Sequence, residues 1–394
     1  MSSSDAVIIE GLQLASLHES NLFLRCLWAR LRSHFGKLGW QLMPRRDGAT
    51  RTIVLGWISL DSTSTIEVSI RYVRAGVIHR IQFAPLSDLG AAFSGLDRGL
   101  RQCVAEALAQ FRSHQTSMLS TQVATFPAKQ TGYFKGERWF CRPLDTGHSE
   151  IAIQVHAFDE VDAQHEASAQ LASLLDILAC MTNATFKPTG ASGGASRSQS
   201  MEANRFCEDA DWLEDLPYRD GRLCLTATHV AFCDKFVEGV VASESITRAA
   251  SLFHTALKLY HRHEPDTYDV TNALFVSALE AITLPASDPS NCASCGQPTY
   301  RISQRVIDAA VRHLGPGVAG FFKDYYSRRS KYLHTGSVRY RQPSTGNLIP
   351  QLDPNGIQGC AMPHVAGQPL NLMEFAGYIL RQEIKLEVMR GAAI

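Results

Sequence analysis

Residues 321–336 read FFKDYYSRRSKYLHTG, and the spacing of their bulky groups decides how the second half of the chain is built. Phe322, Tyr325 or Tyr326, Arg329 and Leu333 fall on one helical stripe, so an arginine continues a line that begins as core. A cation fixed beside an apolar face needs a partner. Ser330 and His334 stand four apart and share a face if the helix continues, with Lys331 also one turn before the histidine. Arg329 and His334 stand five apart, which on a regular helix turns them about 140° from each other. From Ser327 through Gln342 the chain carries Arg328, Arg329, Lys331, Arg339 and Arg341 and neither Asp nor Glu, a concentrated positive patch.

Helical periodicity extends outward from this stretch. Residues 243–260, 268–284, 301–314, 317–333 and 370–389 read as helices with few β-signals between them, which predicts a helical bundle. In the second of these, Leu274, Ala278 and Ala281 lie beside Phe275, Leu279 and Ile282 in two adjacent apolar stripes, so this helix is expected to be deeply packed, with Glu280 close to the stripes. Residues 187–204, KPTGASGGASRSQSMEAN, hold almost nothing able to fill a core and read as a linker. Before them the pattern is mixed. Residues 20–36, 99–112 and 163–181 read as helices, and 52–60, 66–73, 77–83 and 150–156 as strands, the second and third divided by a hairpin-like Arg74-Ala75-Gly76. The expected organisation is an α+β domain over residues 1–186, a linker over 187–204, and an all-α domain over 205–394.

Composition narrows the function classes. The 394 residues are 45% hydrophobic and 19% charged, a folded and slightly charge-poor protein. Lys plus Arg and Asp plus Glu number 38 each, so no chain-wide field draws in nucleic acid or an anionic membrane, and any polyanion site must be local. The opening MSSSDAVIIEGLQL lacks the basic and apolar regions of a secretion signal. The longest apolar stretch, residues 171–181, is interrupted by Asp176, so a cytoplasmic location without a membrane partner is expected, with most of the ten cysteines reduced.

Cys292 and Cys295, followed by Gly296, have the spacing of half a tetrahedral zinc site. Cys360 and His364 are the best remote pair to complete it, with His261 and His263 as competitors. The alternative is two reduced thiols in a loop between helices. Such a zinc would be structural, and no cofactor is expected for catalysis. Gly190 to Gly194 fits G-x-S-x-G without the strand and helix of a nucleophile elbow, and Gly315 to Gly320 fits G-x-G-x-x-G after a helix where a dinucleotide fold needs a strand. Neither carries chemistry. No Walker loop and no H-E-x-x-H is present.

The residues around Arg329 suit RNA cleavage without a metal. An imidazole at His334 would exchange a proton with the ribose 2′-hydroxyl or the leaving oxygen, and the planar fork of Arg329 would stabilise charge building on phosphorus. Their 140° divergence is awkward within one helix. It is eased if the helix frays near His334 or if two copies of the motif face each other across a symmetric dimer.

The run from Arg329 to His334, RSKYLH, resembles the R-x4-H signature of HEPN domains, in a form like the RSK-x-x-HG ending of the ApeA-like HEPN group. Phe275 to Ala281, FVSALEA, resembles the LEA-containing helix of that group, and the stretch from Asn291, NCASCGQPTYRISQRV, looks like members with a Cys-x2-Cys before the third helix. The likeness covers roughly residues 243–390. It implies a four- or five-helix bundle, commonly dimeric, and often a metal-independent endoribonuclease leaving 2′,3′-cyclic phosphate ends. By that resemblance Arg329 and His334 are catalytic, Ser330 positions the substrate and Glu280 orients Arg329; Lys331, one turn before His334, is a further positioning group, and the positive patch offers Arg328, Arg339 and Arg341 to bind RNA. Thr335 departs from the family pattern, which has glycine directly after the histidine. By analogy the setting is antiviral (phage) defence or a toxin-like growth arrest, with the first domain sensing an unknown trigger. The alternative is a non-catalytic HEPN-like module that binds RNA, a nucleotide or a protein.

Overall fold

The computed structural model describes residues 6–47, 50–72, 76–86, 91–127, 129–190, 193–194, 206–207, 218–238, 244–262, 267–284, 302–336 and 369–391. They pack as two units, Met1–Ser117 with Val155–Glu166, and Met118–Gln154 with Ala167–Ile394.

In the first unit, strand β1 (Val7–Glu10) precedes helix α1 (Leu17–Phe35), followed by strands β2 (Lys37–Asp47), β3 (Thr50–Ser59), β4 (Thr65–Tyr72) and β5 (Ile78–Pro85) and helix α2 (Ala91–Gln110). Ser16 starts α1 by accepting the Glu19 N–H at 3.1 Å, and Gly36, with φ of 84°, ends it. The sheet runs β1-β5-β4-β3-β2, with antiparallel neighbours. Phe23, Leu27 and Leu31 of α1 and Leu100, Val104 and Ala107 of α2 share one core with Ile58, Ile66, Val68, Ile81 and Phe83 of the sheet. Arg25 meets Asp162 at 2.8 Å and Arg32 meets Asp159 at 2.7 Å, which ties residues 155–166 to α1.

Sequence periodicity finds β3, β4 and β5 and passes over β1 and β2; in KLGWQLMPRRD only Leu38, Trp40 and Leu42 alternate before MPRRD breaks the pattern. The pairing of β2 with β3 shifts register between Trp40 and Met43, and that of β3 with β4 shifts between Val54 and Gly56. Gly56 sits at φ of 150°, and a Cβ there would collide with the Gly39 carbonyl oxygen and the Trp40 Cα. Gly56→Ala is therefore expected to cost roughly 1–3 kcal/mol. Urea unfolding reads it, and an unchanged midpoint would show that the two strands part freely.

The second sheet runs β10-β6-β9-β8-β7, from β6 (Gln115–Phe126), β7 (Phe134–Lys135), β8 (Trp139–Pro143), β9 (Ser149–Ala157) and β10 (Thr185–Pro188), with β11 (Gly193–Gly194) also on β6. Of these only β9 is read from the sequence; β6, QTSMLSTQVATF, is rich in Ser and Thr and lacks a clean apolar alternation. Helix α3 (Glu160–Thr182) precedes β10, and a short ribbon of β12 (Tyr218–Arg219) with β13 (Arg222–Leu223) follows. Since β10 and β11 pair with β6, part of the stretch read as a linker is strand, and the two packed units divide elsewhere than at 187–204.

The C-terminal part is mostly helical: α4 (Ala227–Glu238), α5 (Glu244–Tyr260), α6 (Tyr268–Ile282), α7 (Ile302–Leu314), α8 (Ala319–Thr335) and α9 (Pro369–Gly391). Helix α6 packs against α5, α7, α8 and α9, so Phe275, Ala278, Leu279 and Ala281 of its two stripes are buried, with Leu274 and Ile282 half-buried. Trp139 donates its indole N–H to Asp234 of α4 at 2.9 Å. Buried Arg381 of α9 donates to the Cys180 carbonyl at 3.1 Å and to Asn183 at 2.8 Å, covering the end of α3. His254 of α5, 1% exposed, contacts Asp176 through Nδ1 at 2.6 Å, while its Nε2 accepts the Phe186 N–H of β10 at 3.0 Å. The seven described cysteines are free thiols, six of them buried. Among the described residues no helix is long and apolar enough to cross a membrane.

Candidate functional site

A 3₁₀ turn, Pro316–Val318, follows Gly315 at φ of 89° and starts α8, so the G-x-G-x-x-G match is a break between two helices. Phe322 and Tyr325 anchor α8 in the core, and Arg329, one turn beyond Tyr325, continues their side of the helix half-buried. Leu333 does not complete the stripe: it is 55% exposed. The helix remains regular through Thr335 and ends on Gly336 at φ of 62°, whose N–H bonds the Tyr332 carbonyl at 3.0 Å. Fraying near His334 is thus not the arrangement seen.

The Arg329 guanidinium meets α6. Its Nε donates to Ser277 Oγ at 3.1 Å, and its Nη2 lies 2.5 Å from Glu280 Oε2. Ser277 and Glu280 stand one turn apart on α6 and grip the fork from one side. Tyr326 completes the setting, with the guanidinium 5.8 Å over its ring and its hydroxyl bonded to Glu280. Burial pushes the Glu280 carboxyl up, which Arg329 and, more weakly, Arg305 of α7 oppose without overcoming. The Tyr326 hydroxyl is also pushed up, first by burial and then by the Glu280 charge. A fixed guanidinium flanked by a carboxylate and a phenol is the result.

His334 is exposed on the last turn, and Ser330, half-buried, precedes it by one turn on the same face. Arg329 and His334 stay five residues apart on an unbroken helix, so within one chain they diverge by about 140°.

The positive patch is weaker than its composition implies. Arg328 pairs with Asp324 at 2.5 Å and is 16% exposed on its side chain, so it is turned to its own helix. Asp324 lies one turn upstream, just outside the stretch counted as free of acidic residues. With Arg329 also paired, Lys331 is the exposed cation after Ser327 that has no carboxylate partner among the described residues. Arg339 and Arg341 lie outside the described residues, as do Cys292, Cys295, Cys360, His364 and the competitor His263. The other competitor, His261, packs its ring 4.5 Å from that of Phe126. Among the described residues no group of three or more His, Cys, Asp or Glu side chains is placed to hold a metal ion.

Sequence alone gives Ser277 and Arg305 no part in the site and gives Tyr326 only a place as an alternative to Tyr325 on the stripe. Ser277 precedes Glu280 by three and Tyr326 precedes Arg329 by three, so the spacing that faces one helix on another was the available signal. No protein-family model, curated protein or solved structure matches the chain.

Proposed function

We propose that the helical C-terminal part is a HEPN-like, metal-independent endoribonuclease that works as a homodimer on single-stranded RNA. The 2′-hydroxyl attacks the adjacent phosphorus and passes its proton to the His334 imidazole that one copy contributes, and the same imidazolium protonates the 5′-oxygen as its bond to phosphorus breaks, leaving a 2′,3′-cyclic phosphate and a 5′-hydroxyl. Arg329 stabilises the charge on the phosphoryl oxygens, held in place by Glu280 and Ser277; Ser330 and Lys331 position the strand. The observation that carries this reading is a guanidinium oriented by two groups of α6 and an exposed imidazole five residues on along one regular helix. Their divergence favours a site completed by a second copy. By resemblance, the role is phage defence or toxin-like growth arrest in the cytoplasm, with the domain read over residues 1–186 sensing a trigger.

The test is cleavage of labelled RNA in EDTA by wild type, Arg329→Ala and His334→Ala. A second reading has one observation in its favour: the 2.5 Å pair between Arg329 and Glu280 would also serve as a structural pin in a non-catalytic binding module. Equal RNA turnover by all three proteins, with equal toxicity on expression, would select it.

A structural zinc on Cys292 and Cys295 with Cys360 and His364 enters no step of this mechanism. Elemental analysis is expected to find one zinc per chain and its loss in Cys292→Ser; a metal-free wild type would dismiss the site.

A further inference from the structure

Residues 218–223, YRDGRL, form the β12–β13 ribbon, with Asp220 at φ of 53° and Gly221 at φ of 76°. Two successive left-handed residues make a two-residue type I′ turn, which the Asp-Gly pair favours. The register sets Tyr218 opposite Leu223 and Arg219 opposite Arg222. Side chains directly opposite share a face, so the two arginines stand together on the face away from Tyr218 and Leu223. Like charges placed this way work against strand pairing. The turn therefore holds two guanidiniums side by side against their own repulsion.

Neither guanidinium is neutralised. Arg219 donates through Nη1 to the Phe206 carbonyl at 2.7 Å, an uncharged acceptor, and the guanidinium carbon of Arg222 lies 5.5 Å from the centroid of the Tyr133 ring. Among the described residues no carboxylate pairs with either. Both line a cavity of about 330 Å³ in the second unit, shared with Tyr133, Phe134, Cys224 and Asp220. That volume is at the small end of the roughly 300–1,000 Å³ of ligand sites. Leu223 fixes the ribbon beside it: its N–H donates to the Gln130 carbonyl and its carbonyl accepts the Gly132 N–H, each at 2.8 Å. Phe134 and Cys224 are buried, Arg222 is half-buried and Arg219 exposed, so an apolar floor lies under two cations. Asp220 adds one carboxylate, and the lining keeps a net positive charge.

Two planar forks on one face match an anion with several oxygens. A phosphate monoester brings about −1.5 to −2 of charge and three terminal oxygens, enough to meet both. A carboxylate or a phosphodiester brings a single charge and two free oxygens, and leaves one fork unmatched. We infer that this cavity binds the phosphoryl group of a small phosphate monoester between Arg219 and Arg222. None of its residues enters the ribonuclease reading, so the two stand or fall separately.

Isothermal titration calorimetry of the full chain with phenyl phosphate tests it, with inorganic phosphate and dimethyl phosphate alongside. The expected result is one saturable site for phenyl phosphate, for which inorganic phosphate competes. Arg219→Gln and Arg222→Gln should each weaken it about tenfold or more, the loss of a charge-assisted hydrogen bond. Dimethyl phosphate, a monoanionic diester like the backbone of RNA, should bind about tenfold more weakly or worse. Asp220→Asn keeps the turn, because asparagine also takes the left-handed conformation, and removes the opposing charge, so it should bind several-fold more tightly. Melting temperatures of the arginine variants should not fall, since each relieves the repulsion across the ribbon. His334→Ala should bind phenyl phosphate like wild type. Absence of saturable phenyl phosphate binding, wild-type affinity in both arginine variants, or dimethyl phosphate bound as tightly as phenyl phosphate would overturn the proposal, the last by marking a contact for RNA backbone instead.

Discussion

His334→Ala is expected to lower RNA cleavage in EDTA by about 10²–10⁴-fold, the contribution of a positioned proton-transfer group, without moving the melting temperature. The side chain is exposed at the end of α8, so its removal leaves no cavity and no orphaned partner. Arg329 needs a gentler change. Truncation to alanine would strand Glu280, whose side chain is 15% exposed, and part of any loss would be misfolding. Arg329→Lys keeps the charge but gives up the fork that reaches Ser277 and Glu280 together, so the protein should fold and cleave at least about tenfold more slowly. The shared site can be tested directly. Arg329→Lys and His334→Ala chains carrying different tags, co-expressed and purified as the mixed dimer, keep one intact Arg329 and one intact His334 on opposite protomers. If each site takes its arginine from one copy and its histidine from the other, one of two sites is whole, and about half of wild-type activity returns. A mixed dimer as inactive as its parents would sink that geometry, and light scattering showing an active monomer would remove the dimer.

The parts of this arrangement readable from sequence are those governed by helical period. Helix α6 carries ALFVSALEAI, whose apolar groups recur on two adjacent stripes, and α8 places Arg329 one turn past Tyr325, so a cation entering the core side demanded an acid nearby. Glu280 is that acid. What period cannot reveal is where one helix ends its contact with another, which is why Leu333 reads as core and is exposed. Nor does a count of charges reveal pairing; Arg328 turns back to Asp324, a neighbour one turn away that a window opened at Ser327 omits. Strands fare worse. The alternation of β2 runs only from Leu38 to Leu42 before MPRRD breaks it, and β6 is built from Ser and Thr that look like loop.

His254 should make the second unit acid-sensitive. Its Nε2 accepts the Phe186 N–H, so the ring proton sits on Nδ1 and points to Asp176; the neutral imidazole satisfies both neighbours, and a second proton would face the Phe186 N–H. Burial holds the imidazole below its ordinary value, with Lys258 adding to that and the hydrogen bond to Asp176 opposing it. A depressed folded-state value means that the unfolded chain takes up the proton first. This contribution to stability is whole above about pH 6.5 and is lost as pH falls from there toward the folded-state value. His254→Ala is expected to cost about 3–5 kcal/mol, because it empties a buried volume and strands both a backbone N–H and a carboxylate. His254→Gln separates the titration from the packing: an amide can donate to Asp176 and accept from Phe186 without gaining a charge. Urea midpoints between about pH 7.5 and 5.5 should therefore fall more steeply for wild type than for His254→Gln, since the other histidines are common to both. Parallel pH profiles for the two proteins would show that protonation of this imidazole does not limit the fold.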